Sequence, residues 1–315
     1  MSQIYLMFQF KFFDRINFNY KVSFLMVFLL CFQSCKHNQE DVPTEWADFV
    51  DFQKGNFPLL ITAVHGGDLR PQWIEDRDCE GAKVVQDQYT LGIAIQIAEE
   101  LNKHGLQPYM LLTKIHRIKI DLNRSLETSH CDDDTSNDLW RLFHNKIEAF
   151  REEVIEKYGR GLLIDIHGHG HPIQRIELGY LLSSQQLRTI AEDLSPEQNY
   201  TTSINSLIEN HPANQNLNNL IFGEQALGTL LATRGFPTVP SSQDRAPNQG
   251  DPFFSGGTNT KLYGSNTRNG VDAIQIELNQ QRLRFESQDR ALFAQTFAGI
   301  LIDYMSFHYS EVFTH

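Results

Sequence analysis

The sequence predicts an α/β fold in which a mostly parallel sheet is covered by helices on both faces. Three observations carry that expectation. Apolar runs of strand length alternate with stretches of helical spacing, and the runs are apolar at consecutive positions, as in strands buried on both sides. Polar and charged residues then gather where those runs end, which is where open α/β sheets place their ligand crevices.

The elements follow in order. Phe57–Val64 reads as the first core strand. Tyr89–His104 has helical apolar spacing (Leu91, Ala94, Ile95, Ala98, Leu101) and stops at Gly105. Pro108–Thr113 is a second strand, Asn137–Tyr158 a long amphipathic helix ending at Gly159, and Gly161–His167 a third strand. Helical stretches near 186–194 and 220–234 precede a Gly-, Asn-, Ser- and Pro-rich loop from Pro240 to Asn269, too long to be a mere connector. Asp272–Leu278 is a fourth core strand and Asp289–Phe307 a closing helix. No composition break divides 56–315, so a single domain is expected there.

The first residues read differently. Lys11, Arg15 and Lys21 precede the apolar run Val22–Phe32, short for a membrane-spanning helix but right for a signal-peptide core. Ser34-Cys35 at its end, followed by polar residues, resembles a bacterial lipobox. The resemblance implies a signal peptide over 1–34, a lipid anchor on Cys35, and a polar tether over 35–55, hence an exported lipoprotein held to the membrane on the periplasmic or cell-surface side. An ordinary signal peptide cut elsewhere, or a single membrane anchor, remains open. Of the 4 cysteines, Cys31 would leave with the signal and Cys35 be lipidated. Cys79 and Cys131 would then be free to pair in an oxidising compartment. A formal charge of −12 argues against a nucleic-acid partner.

The chemistry gathers at strand ends. His65-Gly66-Gly67-Asp68 closes the first strand, and Asp165-Ile166-His167-Gly168-His169-Gly170-His171 the third. Glu277 interrupts the fourth strand between Ile276 and Leu278; a buried carboxylate without partners is costly, so one set between apolar neighbours in a core strand marks a site. Two His and a carboxylate with an open fourth position describe a catalytic zinc centre. Asp165 alternates with His167, faces the same side, and is placed to orient it.

Five segments carry a family resemblance: Val64-His65-Gly66-Gly67, the stretch Arg117–Arg124, Asp165-Ile166-His167, the stretch Ser255–Gly264, and Ala273–Glu277. In this order they resemble the motifs of the N-formylglutamate amidohydrolase family, and they span 64 to 277, nearly the whole mature chain. Asp121-Leu122-Asn123-Arg124 also resembles the substrate-carboxylate clamp of the zinc carboxypeptidases, to which that family is related in fold. The resemblance implies a three-layer α/β/α sandwich, zinc-exopeptidase-like, with one zinc per chain. It makes His65 and His167 metal ligands. The third ligand is Asp87, which opens a helix where the family more regularly has an Asp, or Asp68, at the His-x-x-acid spacing of carboxypeptidases; Asp87 is slightly preferred. Glu277 would be the general base, Arg117 an oxyanion stabiliser, and Asn123, Arg124, Gly256, Gly257 and Thr260 the substrate-binding set.

The sequence also departs from the family pattern. Gly66 replaces a commoner Ser, Gly168 stands where Ser often follows the ligand His, and Lys261 and Tyr263 replace an Arg and a His. The implied activity is zinc-dependent hydrolysis of an amide bond in an N-acyl amino acid, or at a peptide end, bearing a free carboxylate. The alternative is a catalytically silent lipoprotein of the same fold that binds a carboxylate ligand. Neither a Gly-x-Ser-x-Gly elbow nor a Cys nucleophile motif offers another hydrolase class.

Overall fold

In the computed structural model, which describes residues 45–131, 134–192, 200–211 and 216–310, seven strands form one sheet in the order β1-β3-β2-β4-β7-β5-β6. They are β1 Val50–Gln53, β2 Leu59–Ala63, β3 Tyr109–Thr113, β4 Gly161–His169, β5 Ile176–Gly179, β6 Thr238–Val239 and β7 Val271–Asn279. The central ladders β3-β2-β4-β7 are parallel, while β1 on β3 and β5 on β7 run antiparallel. The expected signal peptide and Cys35 lie outside the described residues. The last part of the expected tether belongs to the fold instead: Trp46 is buried and Val50–Gln53 pairs with Met110–Thr113, so the folded region begins before residue 56.

Alternation along the strands sorts the core into two faces. Leu59, Ile61, Ala63, Leu162, Ile164, Ile166, Ile274, Ile276 and Leu278 share one apolar cluster with α1 (Thr90–Asn102) and the closing helix Ser287–His308. Leu60, Val64, Leu163, Val271 and Ala273 share the other with α2 (Asn137–Tyr158). This is the three-layer α/β/α arrangement. α1 buries Thr90, Ile93, Ala94, Ile97, Ala98 and Leu101, an i, i+3, i+4, i+7 stripe, and turns Ile95 outward. Each fully buried Leu or Ile contributes about 1.5–3 kcal/mol relative to exposure, so the long strands and paired helices form a rigid base for what sits at their ends.

The stretch expected to be helical over 220–234 is two helices, Leu217–Phe222 and Leu227–Thr233, and the long loop after Pro240 holds the short helix α3 (Thr258–Tyr263). The closing helix is α4. Cys79 and Cys131 are joined in a disulfide, their Cα atoms 5.7 Å apart.

Candidate metal centre and substrate cleft

On the α2 face of the sheet, the apolar pattern gives way to polar side chains at the C-terminal ends of the strands. Thr62, Asp165 and Gln275 sit side by side in register, and His167 pairs with Glu277 one step further on. Thr62 Oγ1 donates to Asp165 Oδ1 (2.6 Å), and Asp165 Oδ2 lies 3.0 Å from His167 Nε2. His65, just past the end of β2, has its own carboxylate: its Nε2 is 2.7 Å from Asp121 Oδ1. Both imidazoles therefore give Nε2 to a buried carboxylate and turn Nδ1 inward, onto a shared oxygen. Asp87 Oδ2 lies 3.3 Å from His65 Nδ1 and 3.1 Å from His167 Nδ1, and Gly168 N–H donates to it.

This is a converging donor set. His65, Asp87 and His167 each offer a ligand atom, with all of these within 4.8 Å of one another. For metal bonds of about 2.0–2.1 Å, tetrahedral geometry puts neighbouring ligand atoms about 3.3 Å apart, which the two Nδ1–Oδ2 separations match. An outer nitrogen held by a carboxylate is also what fixes a ligating imidazole. The residues fit a divalent cation.

The electrostatics separate the acids. Burial works against the Asp87 carboxylate, yet the His65 charge and hydrogen bonds from His167 and His65 outweigh it and hold its pKa well below the usual range. Asp121 is held low against burial in the same way, by His65 and then Arg117. Glu277 is the opposite case. Burial, with Asp87, Glu177 and Asp165 adding repulsion and His167 opposing, pushes its carboxyl up to about 8. Gln275 Nε2 donates to it at 2.8 Å.

His65, Asp87, His167, Gln275 and Glu277 line a cleft of about 380 Å³ whose walls include Asn123, Arg124, Gly256, Gly257, Thr258 and Lys261. Asn123 holds the Gly-rich segment against the site, its Oδ1 accepting Asn259 N–H (2.9 Å) and its amide nitrogen 3.3 Å from His167 Nε2. Arg124 is half-exposed at the rim, 3.7 Å from Asp121. Arg117 spends Nε and Nη2 on Asp121 Oδ2 and leaves Nη1 3.9 Å from Asp87.

No family model and no curated protein matches the chain. Among solved structures it is similar to N-formylglutamate amidohydrolase from Ralstonia eutropha JMP134, with 13% identity and a TM-score of 0.51, over 84% of this chain and 98% of that one. The chain has that enzyme's fold. A gene product of Agrobacterium tumefaciens is also similar, with 14% identity and a TM-score of 0.49, over 84% of this chain and 96% of that one.

Within the amidohydrolase fold, the sequence's departures have local causes. A Cβ on Gly66 would come within 2.4 Å of Leu91 N at the start of α1. A Cβ on Gly168 would fall 2.4 Å from Arg284 Cζ, because that guanidinium occupies the space, donating to the carbonyls of Leu278, Gln88 and His169. Serine has no room at Gly66, where the obstacle is backbone; at Gly168 it would have to displace the Arg284 guanidinium. Two expected residues lie elsewhere. Asp68 is exposed and accepts from Gln86 Nε2 (2.6 Å), away from the imidazoles, so Asp87 is the acid that meets them. Thr260 is fully buried within α3 and does not reach the cleft; Thr258 and Lys261 do. The sequence reading gave no part to Gln275, although it alternates with Glu277, or to Asp121 as the anchor of His65.

Proposed function

We propose that this chain is a zinc-dependent hydrolase of amide bonds whose substrate, an N-acyl amino acid or a peptide end, carries a free carboxylate. The observation that carries the reading is the His65–Asp87–His167 donor set beside Glu277 on the floor of one cleft. Two nitrogens and one oxygen suit zinc, and when bound it supplies a Lewis acid that polarises a carbonyl and acidifies water. The protein's own groups divide the remaining work. Glu277, lining the same cleft as the donor set, takes the proton from the attacking water and passes it to the leaving amine. Arg124 and Lys261, at the cleft wall, receive the substrate carboxylate, with the guanidinium offering a two-oxygen fork. Arg117, anchored through Asp121, turns Nη1 towards the developing oxyanion. A silent binding protein would have no use for a costly buried acid at Glu277.

We also propose export with a lipid anchor at Cys35. The Cys79–Cys131 disulfide supports an oxidising compartment. There N-formylglutamate itself, the substrate named for the Ralstonia enzyme, is a less fitting substrate than an extracytoplasmic N-acyl amino acid or peptide.

The test is metal analysis of the mature protein, with hydrolysis of N-acyl amino acids measured before and after chelation. About one zinc per chain is expected, with activity lost on chelation and restored by zinc. Arg124→Ala should lower kcat/KM for the free acid by about tenfold and leave the methyl ester unchanged. Equal hydrolysis of acid and ester by the wild type would refute carboxylate recognition, and full activity without metal would refute the zinc.

A further inference from the structure

A second cleft, about 810 Å³, adjoins the first and shares Asp87, Arg117, Arg124, Gly168 and Phe254 with it. Its charge is lopsided. Arg70, Lys83, Arg117, Arg124 and Arg284 line it against one carboxylate, Asp87, in a chain of net charge −12. Arg117 is committed to Asp121, and Arg284 to three backbone carbonyls. Arg70 and Lys83 have no carboxylate at ion-pair distance among the described residues, and Arg70 Nη2 instead sits 3.0 Å from His116 Nε2. Two unneutralised cations in one concavity concentrate anions there. Beside them the cleft has an apolar wall in Val84 and Val85, and Val85 stands 77% exposed. Such a side chain gains by being covered with a methylene chain.

From this pairing we infer that the second cleft is a subsite for the acyl side of the substrate, taking an aliphatic acyl arm that ends in a carboxylate. The inference rests on the hydrolase reading for its orientation: the amine-side carboxylate meets Arg124 and Lys261, the scissile amide lies over the donor set, and the acyl arm runs past Gly168 along Val84 and Val85 to Arg70 and Lys83. A formyl or acetyl group would leave this volume to water.

The experiment compares N-adipoyl, N-hexanoyl and N-acetyl derivatives of one amino acid on the zinc-loaded full chain. Calorimetric titration with adipate and with hexanoate accompanies it. The wild type should favour adipoyl over hexanoyl by about tenfold in kcat/KM, chiefly through KM, as expected for an added charge contact. The Arg70→Ala/Lys83→Ala double variant should bring that ratio to about one and leave N-acetyl turnover unchanged. Adipate should bind the wild type more tightly than hexanoate does, and the double variant should lose the difference. If no derivative is cleaved but adipate binding still depends on Arg70 and Lys83, the hydrolase reading fails and the anion subsite stands. If adipate binds neither protein, or binds both equally, the subsite is wrong whatever the hydrolysis shows.

Discussion

Asp165 and Asp272 are the same residue type, fully buried in adjacent strands of one sheet, and their protonation is driven in opposite directions. Asp165, on the α2 face, lies against His167 and Thr62; burial is outweighed by the His167 charge and its pKa is lowered. Asp272, on the α1 and α4 face, is met by Ser265 Oγ, Tyr309 Oη and the Leu207 N–H, all neutral donors. They do not offset burial, and its carboxyl rises to about 6. Neutral donors keep this buried acid in place, and even with the Arg160 charge they do not keep it ionised, whereas His167, in hydrogen-bond contact, does so for Asp165. One face of the sheet has invested in charge at its strand ends; the other has stayed apolar up to a single acid at the opposite end of β7.

That contrast can be broken most directly at Glu277. Glu277→Gln should keep the fold and the metal while kcat falls by about 10²–10⁴, read by steady-state kinetics beside metal content. Normal turnover would move the base elsewhere, with Glu177 the first alternative, although its oxygens are already taken by His171 and the Phe254 N–H. Its neighbour on the other face, Ile276, is fully buried among the α1 and α4 contacts. Ile276→Ala should cost about 2–5 kcal/mol of stability in denaturant unfolding with little change in kcat of the folded protein; the reverse outcome would mean the two faces are not functionally separate.

Asp272→Asn tests the sign of the comparison. Because the folded-state pKa lies above the unfolded value, the wild type is most stable with this group protonated and loses stability as pH rises from about 4 to about 6. The variant should show no such loss from this group and gain on the wild type across that window by about 3 kcal/mol; a gap independent of pH would contradict the assignment. The smallest effect is expected at Asp121→Asn. It removes the charge behind His65 without replacing any of the three proposed ligands, so metal affinity should weaken by about 10–100-fold, measured by competition with a chelator.

β2, β3 and β4 were readable because each holds a run of consecutive apolar residues, which made His65 and His167 conspicuous at their ends; β7 alternates instead, with Gln275 and Glu277 set between Ile274, Ile276 and Leu278. The short strands lacked that contrast. β5 carries Glu177 among its residues, β6 has only Thr238 and Val239, and β1 alternates buried with half-buried positions in a polar context. Within the site, what escaped the sequence reading was partnership at a distance. Asp121 stands 56 residues from His65, and no local spacing links them. Asp68 and Asp87 both lie in irregular segments, and the Asp87 N–H bond to the His65 carbonyl (3.0 Å), just before α1, brings Asp87 against the imidazoles.

The disulfide has a consequence for durability. Between Cys79 and Cys131 the chain contributes Asp87, Arg117, Asn123 and Arg124, much of one wall of the cleft. It also contains an exposed stretch around Glu80, Gly81 and Lys83, the kind of surface that proteases cut. A single cut anywhere inside this covalent ring leaves both pieces of the chain joined through sulfur. Losing one peptide bond there would therefore not release either half of the cleft.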